Sequence, residues 1–146
     1  MENVWEEVVT TTHQDHVIAH VIDTTVLAYI VLDDAIHFLI DIGFIWKIYV
    51  DGEMGLLPHP VAIAELDLTE ADRAEIKGEI DLLLRDGASE WPLMKFSSLN
   101  TACVISAVHL FSRNDELKLV IEGESGKLEI KTLLTKGKFQ VTEETT

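Results

Sequence analysis

VLAYIVLDDAIHFLIDIGFIWKIYVDG, residues 26 to 52, is the stretch whose reading decides the fold. It is crowded with Val, Ile, Tyr, Phe and Trp, residue types that suit a pleated, half-buried surface. Asp33-Asp34 and a lone Gly43 separate its apolar runs, which end at Asp51-Gly52. A parallel connection needs a dozen or more residues, usually a helix, and these gaps are far shorter. The stretch therefore reads as an antiparallel meander, with Asp51-Gly52 its best hairpin signal. Gly43 is either a tight turn or a bulge inside one bent strand. If Asp33-Asp34 is a two-residue loop, Leu32 pairs with Ala35, Ile30 with His37 and Tyr29 with Phe38.

Toward the C-terminus, Leu68 to Gly87 predicts one clear helix, at about 69–86. Thr69 can cap it, Asp72 stands three residues on, and Gly87 suits a C-terminal stop. Ile76, Ile80, Leu83 and Leu84 form a single apolar stripe. After a loop through Trp91-Pro92, strands are expected at Ala102 to Phe111, Leu117 to Glu122 and Lys127 to Leu134. The turn-like SRND and EGESGK connect them, and the tail TEETT is expected to fray. Toward the N-terminus, Val4, Trp5, Val8 and Val9 have the spacing of a short helix, and VIAHVI reads as a further strand. The expectation is a single α+β domain over 1–146. It holds a mostly antiparallel sheet of about seven strands, in an N-terminal meander and a C-terminal three-strand meander.

The first meander is apolar on both faces, and one helix cannot cover both. Either the later strands pack against it or another subunit does. A homodimer is the natural expectation.

Composition narrows the function classes. Net charge is −15, and up to Asp72 there are fourteen acidic residues against one basic residue, Lys47. Nucleic-acid binding relies on clustered Lys and Arg, so no nucleic-acid partner is expected. Cys103 is the only cysteine, which excludes an intramolecular disulfide and a Cys-based zinc site. It lies in the apolar run ACVISAV and reads as a small buried hydrophobe. Charges break the apolar region 17–50, and no run reaches the ~18–20 residues of a spanning helix. The first residues, MENVWEEVV, are acidic where a signal peptide is basic. A cytoplasmic protein with no membrane partner is expected.

The unusual chemistry lies in HQDHVIAH, residues 13 to 20. On a helix, His16 and His20 share a face with His13 one turn earlier, a spacing that can hold zinc. Val17 stands where an HExxH signature needs its Glu. On a strand, the reading favoured by the β-rich continuation, His16 and His20 stand about 13 Å apart and share no ion. In that case Asp15, Asp33, Asp34 and Asp51 gather at one sheet edge with His13 and His16 nearby, an arrangement of cation-binding chemistry. His109, in an apolar strand, reads as a core residue. No nucleophile elbow, P-loop or dinucleotide fingerprint occurs.

Two readings of function follow. The first is a non-catalytic protein-interaction or self-associating module without a cofactor. The second is a divalent-metal-binding protein or metal-dependent enzyme using His13, Asp15, His16 and His20. A small-molecule pocket between sheet and helix is compatible with either.

Overall fold

The computed structural model describes residues 4–32, 35–86, 93–124, 126–133 and 137–145. In chain order the elements are β1 Glu6–Glu7, α1 Thr12–Val21, β2 Thr25–Leu32, β3 Ala35–Ile40, β4 Phe44–Tyr49 and β5 Met54–Pro58. There follow α2 His59–Ala64, α3 Glu70–Asp86, β6 Ser97–Arg113, β7 Glu116–Gly123, β8 Gly126–Leu133 and β9 Lys138–Thr145. The fold is α+β, built on one mostly antiparallel sheet in the order β5-β4-β3-β2-β6-β7-β8-β9, with β1 paired to β6.

The meander forms as its residues dictate. Leu32 pairs with Ala35, Ile30 with His37 and Tyr29 with Phe38. The loop residues 33 and 34 lie outside the described residues. Residues 41–43 form a turn, so Gly43 separates two strands rather than bulging one. At Asp51-Gly52 the chain reverses, and Gly52 takes φ +90, which a residue without Cβ adopts without strain. It is also packed against the Leu110 and Leu117 side chains.

The long strand β6 joins the two halves. Its first half pairs with β2, up to Thr25 opposite Val104, and its second half pairs with β7 from Ile105 onward. The pairing with β7 shifts register between Ile105 and Ala107, a bulge of the kind that bends a strand. Gly123 stands opposite Ile105 at that bend. A Cβ there would meet the Val104 carbonyl at 2.8 Å and Cys103 Sγ at 3.0 Å, so the crossing needs glycine.

Bending the sheet makes three layers. One face of β2–β5 packs on β6–β9, through Ile36, Phe38, Ile40 and Trp46 against Leu110, Leu119, Ile121, Leu128 and Ile130. Val17 and Val21 of α1 enter the same core. The other face of β2–β5, with Ala28, Ile30, Leu39 and Ile45, packs under α2 and α3 through Ala62, Ile63, Ile76, Ile80 and Leu83. Both faces of the meander are thus covered by this chain's own elements.

Several expectations are corrected. Among the described residues the sheet has nine strands rather than about seven: VIAHVI is lost to a helix, while Glu6–Glu7, Met54–Pro58 and Lys138–Thr145 are gained, the last including most of the supposed frayed tail. Phe139 and Val141 give that tail an apolar face that packs against the core. The chain opens with the short strand Glu6–Glu7 instead of a helix, because β6 offers it a partner at Phe111 and Ser112. The expected helix runs from Glu70 to Asp86, and the Thr69 hydroxyl accepts from the Asp72 amide at 3.1 Å. Its proposed stop, Gly87, lies outside the described residues, as does Trp91-Pro92. Residues 12–21 are helix, not strand.

Candidate functional site

Helix α1 begins where Thr11 and Gln14 form a reciprocal cap. The Thr11 hydroxyl accepts from the Gln14 amide at 3.1 Å, and the Gln14 side chain accepts from the Thr11 amide at 2.8 Å. The T-x-x-Q spacing satisfies two of the amides that a helix start leaves unpaired. Gln14, Val17 and Val21 face inward and are buried, Ile18 packs at the margin of the core, and His16 and His20 are left exposed.

The helix therefore sorts the histidines. His16 and His20 come together, four residues apart, with ring centroids 5.7 Å apart and edge-on. His13 points elsewhere: its Nε2 donates to the Met54 carbonyl on β5 at 2.9 Å. Asp15 accepts from the Thr10 hydroxyl. Among the described residues, no three His, Cys, Asp or Glu side chains come together in a way that could hold a metal ion. Of the acidic edge imagined for a strand, Asp51 accepts from the Glu53 amide inside its own turn, and Asp33 and Asp34 lie outside the described residues.

The other singled-out residues resolve as follows. His109 is not in the core. It is 38% exposed, with Nδ1 3.5 Å from Glu7 and Nε2 3.7 Å from Glu122. Cys103 is buried, and burial pushes its thiol pKa up, so it behaves as the hydrophobe expected.

The bond from His13 has a structural meaning. Strand β5 is one end of the sheet, and an end strand exposes a row of unpaired backbone groups. Here His13 takes the Met54 carbonyl, and Gln14 Nε2 donates to the Gly52 carbonyl at 2.9 Å beside it. The strand is five residues long and ends at Pro58. Its edge is short and plugged by α1.

The opposite end is built differently. Strand β9 is eight residues long, pairs with β8 along its length, and ends the strand order. It contains no proline. Lys138, Gln140, Thr142 and Glu144 are exposed on one face, while Phe139, Val141 and Glu143 are half-buried on the other. If two copies of this strand lie antiparallel about Val141, Lys138 of each faces Glu144 of the other. Gln140 then faces Thr142, and Val141 faces itself. The charge order is self-complementary.

A second locus lies between α2 and the sheet. His37 on β3, Lys47 on β4 and Gly55 on β5 stand in one row across three strands. They line a cavity of about 100 Å³ with Tyr49, Ala62 and Glu65. His37 is 3% exposed. Burial, and secondarily the Lys47 ammonium, lowers its pKa to about 4, so it is neutral at pH 7. Its ring hydrogen-bonds the Leu32 backbone, while Nε2 is buried with no partner among the described residues. The backbone bond thus falls to Nδ1–H, and Nε2 carries a bare lone pair. The sequence shows the register that aligns Ile30 with His37. It does not show that α2 would roof the row.

Comparison of the chain with protein-family models, curated proteins and solved structures found no match.

Proposed function

We propose that the chain is a cytoplasmic, non-catalytic module that self-associates, forming a homodimer by antiparallel pairing of β9 with β9 of a second copy. The observation that supports this reading is the contrast between the sheet's two ends. The β5 edge is shortened and plugged, while β9 is eight residues long and, among the described residues, pairs as a strand with β8 alone. Edge strands that carry no cover are templates for another strand. A two-fold axis through Val141 satisfies the requirement that the same patch serve both partners. It also places Val141, half-buried at the rim of the core, against its counterpart, with Phe139 of each copy opposite Glu143 of the other. Each cross-strand Lys–Glu pair adds roughly 0.2–1 kcal/mol.

Other features agree with a cytoplasmic location and with the absence of nucleic-acid partners. No helix among the described residues is long and apolar enough to cross a membrane. The net charge of −15 repels phosphate backbones.

The test is a pair of single charge reversals. Lys138→Glu leaves Glu opposite Glu144 in its own dimer, and Glu144→Lys leaves Lys opposite Lys138. Each variant alone is expected to shift toward monomer in sedimentation velocity, with Kd raised about tenfold or more at low salt. Mixed together, the two restore both opposite-charge pairs and are expected to form a heterodimer by native mass spectrometry. A dimer that neither variant weakens uses another surface and overturns the proposal, as does a wild-type chain that stays monomeric throughout.

A further inference from the structure

Lys47 is the one basic residue among the first 72, in company with fourteen carboxylates, yet among the described residues it forms no ion pair. Its ammonium lies 4.7 Å above the Tyr49 ring and lines the cavity beside His37. Here the charge faces a cavity whose floor is open, because Gly55 contributes no side chain and nothing lies within 4 Å of where its Cβ would be. A buried lone pair on His37 without a donor is a second unfilled requirement, since a buried acceptor left unpaired costs roughly 1–3 kcal/mol. The rim adds an opposite charge, Glu65, exposed at the end of α2.

We infer that this cavity is a binding site for a small zwitterionic α-amino acid of the size of glycine or alanine. The chemistry matches group for group. The carboxylate of the ligand meets Lys47. The ammonium donates to His37 Nε2 and faces Glu65. A neutral imidazole whose other nitrogen is already committed to the backbone can accept such a bond and cannot repel the cation. A simple anion satisfies Lys47 but is opposed by Glu65 and offers His37 no proton. A metal cation suits the lone pair but is opposed by Lys47. The volume, about 100 Å³, is roughly three water volumes at ~30 Å³ each, which admits the backbone of an amino acid and little side chain. The site shares no residue with β9, so the two proposals fail independently.

The experiment is a titration of the intact protein with glycine, L-alanine, acetate and methylamine, followed by the NMR signal of the His37 ring. Glycine and alanine are expected to shift that signal saturably, with acetate and methylamine at least tenfold weaker. Lys47→Met and Glu65→Gln are each expected to lower glycine affinity about tenfold. Gly55→Leu, which fills the floor, is expected to abolish binding with the thermal midpoint preserved. If acetate binds as well as glycine, the site is a bare cation and the inference falls. If no ligand moves His37, the cavity holds only water and the inference falls equally. Should Gly55→Leu fail to fold, the Lys47 and Glu65 variants alone decide the matter.

Discussion

Of the six buried residues of β3, Ile36, Phe38 and Ile40 look toward β6–β9, while Ala35, His37 and Leu39 look toward α2 and α3. The first face is closed by interdigitation. Phe38 lies 5.7 Å from Trp46 and 6.2 Å from Tyr29 between ring centroids, and two strand layers leave no polar group to satisfy except the Trp46 indole. The second face is closed by two helices of unequal length, and cylinders laid on a sheet do not seal its margin. Where the short α2 ends, the row His37–Lys47–Gly55 replaces apolar filling with polar groups and space. Burial alone therefore does not distinguish a structural face from one with chemistry. What distinguishes them is whether the buried polar atom without a partner sits in a filled core, as Trp46 Nε1 does, or on a residue that lines a cavity, as His37 Nε2 does.

The largest effect is expected on the dry face. Phe38→Ala removes a fully buried ring from between two others and should cost about 3–5 kcal/mol in denaturant unfolding. The near-UV signal of Trp46 should weaken with it. A cost below ~1.5 kcal/mol, the range of tolerated volume-conserving swaps, would mean that the two strand layers are not in close contact.

On the helix side the expected effect depends on pH. His37 has a folded pKa of about 4 against an ordinary value of 6.5. Between those values the unfolded chain binds the proton and the folded chain does not, so stability falls as pH falls through this window and levels off below it. At 1.36 kcal/mol per pKa unit, the loss is on the order of 3 kcal/mol. His37→Leu should flatten the wild-type decline between pH 6.5 and 4, measured by urea midpoints across that range. Identical slopes for the two proteins would place His37 in contact with water.

The sequence makes the dry face legible because it obeys a local rule. Alternation along 26–49 with turns of known length fixes the pairs Tyr29–Phe38 and Leu32–Ala35 before any coordinates. The helix side depends on elements whose signals are weak or long-range. HPVAIA is too short for periodicity to speak, and α2 forms there because Pro60 suits a first turn and the sheet offers it Ile45 and Leu57. HQDHVIAH reads as strand for the opposite reason, although it folds as helix. Its β-prone residues outweighed a capping box at Thr11 and Gln14 that stands in the sequence in full view. Tertiary context then selected the helix, since Val17 and Val21 fill the core at helical spacing. Nothing local marks Lys47 as special, for the absence of a carboxylate partner among the described residues is a fact of three dimensions.

The smallest expected effect asks what holds α1 against the dry face. Two devices compete: the cap at Thr11 with Gln14, and a histidine face that would tie the helix by binding a metal. Thr11→Ala removes the hydroxyl that accepts from Gln14 and leaves that helix-start amide without its cap, at a cost of about 1 kcal/mol. His16→Ala touches an outward ring whose recorded neighbour is His20, so it should fall within about ±0.5 kcal/mol, chelator present or not. Thermal midpoints of the two variants, with and without chelator, separate the devices. If His16→Ala costs more than Thr11→Ala and chelator reproduces the loss in the wild type, a metal bound at His16 and His20 fastens the helix. In that event the fit of α1 against the core is set by an ion rather than by the capping box. If Thr11→Ala alone is costly, the cluster of histidines owes its place to the three inward positions, Gln14, Val17 and Val21, that the capped helix buries.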